Sequence, residues 1–304
     1  MIRVPQFVEF VSAENAAAGM SRGLLERTDD WGRLVARAQR ILAEVQNELS
    51  REQRDFVAEQ FYDLEQSAPL IAAARILDAA SQASNLEPSH RRRLALCSAA
   101  AFSMYGNFPS AHAVIKNAHN LSEALSSRIW LAIGCFSPRF LGDARIRAIE
   151  ARDKLSSSAI EGLQSYLITG ATEQIPRIDQ LIVKSFATCA DNLENLLLGY
   201  ARISLRHVQL LSVRQNLSRF ESLPASVVGQ LIDSGISTLL PSQFTVLCRS
   251  PLLRTDQNSL VCLPTSTGKT LIGELAIAAA LGAKPGLAIY VAPYVAIGLQ
   301  AARA

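Results

Sequence analysis

The feature that most constrains this chain is its helical period. From Phe7 to about Phe220, apolar residues recur at three-and-four spacing, as in Trp31, Leu34, Val35, Ala38, Ile41, Leu42 and Val45. That spacing puts one apolar stripe along a helix and leaves the opposite face polar, so each segment must bury its stripe against another. The same period runs through Leu70 to Ala80 and through Leu193 to Leu211, whereas strand-like alternation is scarce before about residue 258. Pro88, Pro109, Pro138 and Pro176 fall at the joins, where a residue that cannot continue a helix belongs. The expected fold is mainly α, with an all-helical domain over residues 1–221.

One hairpin carries a sharper pattern. Ala99, Phe102, Gly106, Phe108, Ala111, Ile115 and Ala118 sit at offsets that resemble a tetratricopeptide repeat, with small residues where two helices approach. A single copy is visible, so an ordinary helical hairpin and a repeat-like scaffold both remain open.

Composition sets the outer limits. A chain of 304 residues with 49% hydrophobic and 19% charged residues can bury a sizeable core, and its length suggests two domains, or one long helical domain plus a piece of another. The net charge of +3 neither demands nor excludes a nucleic-acid partner. The run Arg91-Arg92-Arg93 reads either as a phosphate contact or as a solvated helix face. Cys97, Cys135, Cys189, Cys248 and Cys262 show no metal-ligand spacing, which fits a reducing cytoplasm. His90, His112, His119 and His207 form no catalytic constellation. The first ten residues do not read as a signal peptide. The apolar run Leu275 to Ala283 is too short to span a bilayer, so no membrane association is expected. Arginine is far commoner than lysine and alanine is abundant, which hints at a GC-rich bacterial genome.

Near residue 222 the character changes. Pro224, Gly229 and Gly235 punctuate the chain, and the order becomes helix, strand, loop, helix, strand, as in a parallel α/β sheet. Ser259 to Leu263 reads as a strand running into the loop Pro264-Thr265-Ser266-Thr267-Gly268-Lys269-Thr270 and then a helix. Such a loop offers backbone N–H groups and a helix N-terminus to phosphate. Lys269 is placed to reach the β and γ phosphates of ATP, and the Thr270 hydroxyl to ligate Mg²⁺. The strict GxxxxGK[ST] pattern fails at one place, where Leu263 stands for glycine.

Pro264 to Thr270 resembles the Pro-Thr-x-x-Gly-Lys-Thr version of this loop in superfamily 2 (DExD/H-box) helicases. Upstream, Leu231, Gly235, Ile236, Leu240, Pro241 and Gln243 resemble that family's Q motif, with Gln243 26 residues before Lys269. The resemblance implies that Gln243 reads the adenine edge, while in plainer terms Ser242 would serve as a helix N-cap. Downstream, Gly286 to Pro293 reads as a second strand and resembles motif Ia, with Ala296, Ile297 and Gln300 at matching places. The resemblance makes Pro293, Tyr294 and Gln300 candidate contacts to DNA or RNA. Tyr294 and Val295 replace the family's Thr-Arg pair, so backbone amides would carry the phosphate contact instead. Lys269 to Glu274 looks closest to the Ski-like branch, with Glu274 either orienting the loop or solvated.

The resemblance covers roughly residues 228–304 and implies the start of a RecA-like α/β domain over 222–304. The DExH segment, the Ser-Ala-Thr motif and the second RecA-like lobe are not recognisable in these residues. The 304-residue chain is therefore expected not to hydrolyse ATP, whereas a longer parent would be an ATP-dependent helicase or translocase on DNA or RNA. A different class of function is also open. The helical region resembles, in arrangement only, the extensions of some bacterial defence helicases, and would then bind a partner protein.

Overall fold

The computed structural model describes residues 31–51, 64–84, 86–118, 125–189, 191–253, 259–263 and 268–289. By compactness the chain divides into two units, Met1–Leu210 and Leu211–Ala304. The composition shift near 222 comes later than this division, because Leu211 and Val213 bond to the stretch at 237–239. The Leu239 N–H donates to the Leu211 carbonyl at 2.8 Å and the Val213 N–H to that of Ser237 at 2.9 Å.

The first unit contains α1 (Trp31–Arg51), α2 (Leu64–Ser81), α3 (Pro88–Met104), α4 (Phe108–Asn117), α5 (Ser127–Phe136), α6 (Leu141–Glu150), α7 (Lys154–Thr169) and α8 (Gln174–Phe186). It closes with α9 (Asn192–Leu211), and a 3-10 turn at Pro138–Phe140 joins α5 to α6. The prolines act as helix starters, with Pro88 opening α3 and Pro109 in the first turn of α4. Side chains supply missing acceptors at several starts. Asn107 Oδ1 accepts from the Ser110 N–H, Ser126 Oγ from Ile129, and Asp153 Oδ1 from Leu155 and Ser156. Burial alone would raise the Asp153 carboxyl, but hydrogen bonds from Ser127 and Ser156 hold it below the ordinary carboxylate value.

Neighbouring helices pack in hairpins, α3 with α4, α5 with α6, and α7 with α8. The leading helices also pack in a row, α3 on α5 and α5 on α7. Small residues permit the close approach. Ala72, Ala73 and Ala74 of α2 and Ala99, Ala100 and Ala101 of α3 are fully buried, and Ser98 Oγ donates to the Ala74 carbonyl at 2.7 Å. In the α3–α4 hairpin Ala99, Phe102, Phe108, Ala111 and Ile115 are all buried. Helix α9 is tied to three others by polar links. Ser204 Oγ meets Ser103 Oγ at 2.7 Å, Arg202 grips Asp179 through two bonds of 2.7 and 2.9 Å, and Arg128 reaches Glu194 at 3.3 Å.

The second unit holds α10 (Val213–Leu217), α11 (Ala225–Asp233), α12 (Pro241–Arg249) and α13 (Lys269–Ala283). After α11 the Gly235 N–H bonds to the Ile232 carbonyl and the Ile236 N–H to that of Leu231, a Schellman closure that needs the φ of +85° found at Gly235. Gly235 thus has a structural task independent of any motif.

The α/β sheet expected here is not formed among the described residues. Their one β pairing is the antiparallel bridge between Ser212 and Thr238. Residues 259–263 and 286–289, read as strands, carry no ladder, and Leu260 and Leu287 are 91% and 88% exposed. A strand is stable only when neighbouring strands take up its backbone groups, and no described strand pairs with either segment. The mainly α expectation holds. Among the described residues no helix is long and apolar enough to cross a membrane.

Candidate nucleotide site

Helix α13 begins directly at Lys269, with Gly268 as its N-cap. Gly268 has φ +69° and ψ +40°, a left-handed conformation that an L side chain adopts only at a cost. A Cβ there would also collide with Nε2 of Gln243. The helix is anchored along one face by the buried Ile272, Leu275 and Ala279. At its far end Gly282 lies so close to the Ser222 carbonyl that a Cβ would strike it. The first-turn amides of α13 precede the Ile272 N–H, whose 3.4 Å bond to the Gly268 carbonyl starts the ladder. Such amides and the positive end of the helix suit an anion.

Gln243 is the second component. It is the third residue of α12 and only 5% exposed. Its Oε1 accepts from the Leu240 N–H at 2.9 Å, and its Nε2 donates to the Gly268 carbonyl at 3.3 Å. The first bond is the side-chain-to-N-cap half of a capping box. Ser242, expected to cap this helix, instead lies inside its first turn, because Pro241 already provides the first helical residue. Gln243 and Gly268, drawn from segments 25 residues apart, are therefore in contact.

Lys269 and Thr270 are both exposed. Lys269 Nζ donates to the Leu263 carbonyl at 3.0 Å. The Thr270 hydroxyl makes no hydrogen bond with described residues, which leaves it able to bind a hard cation such as Mg²⁺. Glu274 is half-buried and pairs with no described residue, so it does not orient the loop through any described contact. Pro264, Thr265, Ser266 and Thr267, together with Pro293, Tyr294 and Gln300, lie outside the described residues.

The backbone partners in this arrangement, the Leu240 N–H and the Leu263 and Gly268 carbonyls, have no signature in side-chain identity. Elsewhere His112 and His207 lie within the packing of the first unit. His112 stacks on Phe140 with ring centroids 4.8 Å apart and bonds to Ser137 Oγ at 3.1 Å. His207 is fully buried in α9. Among the described residues no group of His, Cys, Asp and Glu could hold a metal ion. No family model, curated protein or solved structure matches the chain.

Proposed function

We propose that this chain carries the nucleotide-binding front end of an ATP-dependent helicase or translocase of the superfamily 2 type, acting on DNA or RNA in a longer parent protein. The observation that supports this most directly is the contact between Gln243 and Gly268 at the N-terminus of α13. Two segments singled out by separate motifs meet at the one helix end that begins with Lys269-Thr270. In this reading the α13 amides and Lys269 hold the β and γ phosphates of ATP, and Thr270 holds Mg²⁺, which neutralises phosphate charge when bound. Both polar ends of Gln243 are engaged within the protein, so its role is to set the start of α13. Adenine reading would require it to exchange these bonds.

The test is equilibrium binding of Mg²⁺-ATP to the 304-residue chain by calorimetry, with Lys269→Ala as the comparison. Loss of a charge-assisted phosphate contact should weaken binding about tenfold or more. Equal affinity in the variant refutes the site. In the longer parent, the same variant should abolish nucleic-acid-stimulated ATPase.

A second reading concerns residues 1–221 as a docking module for a partner protein. The row of leading helices α3, α5 and α7, each with its hairpin mate, is the arrangement a repeat-like scaffold uses. Ile146 and Ile149 of α6 are exposed one helical turn apart. Salt-resistant retention of a protein by this segment supports docking, and salt-sensitive retention of DNA or RNA opposes it.

A further inference from the structure

A cavity of about 450 Å³ opens in the first unit between the C-terminal ends of α2 and α4 and the first turns of α3. Its volume lies in the range of small-molecule sites, roughly 300–1,000 Å³. Arg91, Arg92 and Lys116 line it, and Asp78 is its sole acidic residue. Side chains alone therefore give three positive charges against one negative. The carbonyl ends of α2 and α4 subtract about one unit and the amino end of α3 returns about half, so the wall stays positive by about 1.5 charges.

The structural roles of Arg91 and Lys116 use little of their capacity. Arg91 Nε donates to the Ser81 carbonyl at 3.1 Å and so caps α2. That uses one of five guanidinium donors, and the remaining four have no acceptor among the described residues. Lys116 likewise has no carboxylate or hydrogen-bond partner among them. The one acid, Asp78, is itself engaged, since its Oδ1 accepts from Gln82 Nε2 at 3.2 Å. Asn117 adds an amide at the rim. A forked guanidinium whose Nε is already fixed, beside a lysine point charge in a concave polar wall, matches a phosphate dianion.

We infer that this cavity binds a phosphomonoester, borne either by a small metabolite of mononucleotide size or by the 5′ end of a polynucleotide. It shares no residue with the Lys269 loop, so it is tested in a Lys269→Ala background to remove binding there. Calorimetric titration with adenosine monophosphate should show binding that adenosine lacks. Lys116→Glu, an exposed change that leaves the core untouched, should weaken it about tenfold or more. Arg91→Lys, which keeps the charge and loses the fork, should weaken it by a smaller factor. Hexathymidylate with and without a 5′ phosphate separates the sources. Binding of the phosphorylated strand but not the monophosphate assigns the chain end, and the reverse assigns the metabolite. Failure of both phosphate probes at millimolar concentration overturns the inference. So does binding that Lys116→Glu leaves unchanged while circular dichroism shows the fold intact.

Discussion

Gly268→Ala probes the junction on which the candidate site depends. At φ +69° an alanine costs about 1 kcal/mol relative to glycine. Its Cβ would also occupy the space of Gln243 Nε2, so that side chain has to move. Displacing it breaks the bonds to Leu240 and Gly268 and leaves a buried amide poorly paired, at about 2 kcal/mol. The variant should therefore destabilise the second unit by about 3 kcal/mol. In a Gln243→Ala background the collision is gone, and the same change should cost only the backbone term of about 1 kcal/mol. A coupling of about 2 kcal/mol results. Trp31 and Trp130 both belong to the first unit, so fluorescence would follow the wrong transition. Native-state hydrogen exchange over residues 241–249 and 269–283 reads the right one. Additive effects, with coupling below about 0.5 kcal/mol, would refute the contact as an energetic link.

Burial pushes the His207 imidazole down to about 4, against the smaller upward pull of the Ile203 carbonyl, while the unfolded chain titrates near 6.5. The unfolded state thus binds the proton first. Stability should be full above about pH 6.5 and fall by about 3 kcal/mol as the pH drops to about 4, and His207→Phe should flatten that slope in urea titrations. Removing Asp179 breaks the two-bond grip on Arg202, and Asp179→Ala should cost about 1–2 kcal/mol in urea denaturation, with no change arguing that the pair is idle. Burial raises the Cys97 and Cys135 thiols to about 11 and 12, so a maleimide at neutral pH should label exposed Cys262 first and spare those two until unfolding. Mg²⁺-ATP should slow the Cys262 reaction if the neighbouring loop holds nucleotide.

The helical part of this molecule is legible because its signal is local and redundant. The apolar spacing repeats over several turns in α1 and α9, and Pro88 and Pro109 mark where two other helices start. The α3–α4 hairpin was readable for the same reason, since Ala99, Phe102, Phe108, Ala111 and Ile115 are all core residues. The strand readings at 259–263 and 286–293 rest on apolar content and on the order of the elements around them. Apolar content states that a segment wants covering, and a ladder needs a partner that sequence spacing does not name. Leu260 and Leu287, almost wholly exposed, record that difference.

The site divides along the same line between side-chain identity and backbone geometry. The Gly-Lys-Thr step fixed the start of α13 because a left-handed glycine before a lysine at a helix start is a local arrangement. The part played by Gln243 was not readable in this way, because its partners are an amide and a carbonyl that any residue could supply. A glutamine offers an acceptor and donors to adenine or to backbone alike, and burial decides which. At 5% exposure, turning Gln243 outward would leave the Leu240 N–H and the Gly268 carbonyl to find water, at about 1–3 kcal/mol. A bound base would have to return that energy before it gained anything. The cheaper arrangement keeps Gln243 inside, where nucleotide affinity depends on it through the position of Gly268, so Gln243→Ala should weaken ATP and inorganic triphosphate equally. Loss confined to the adenine nucleotide would instead restore the base-reading role.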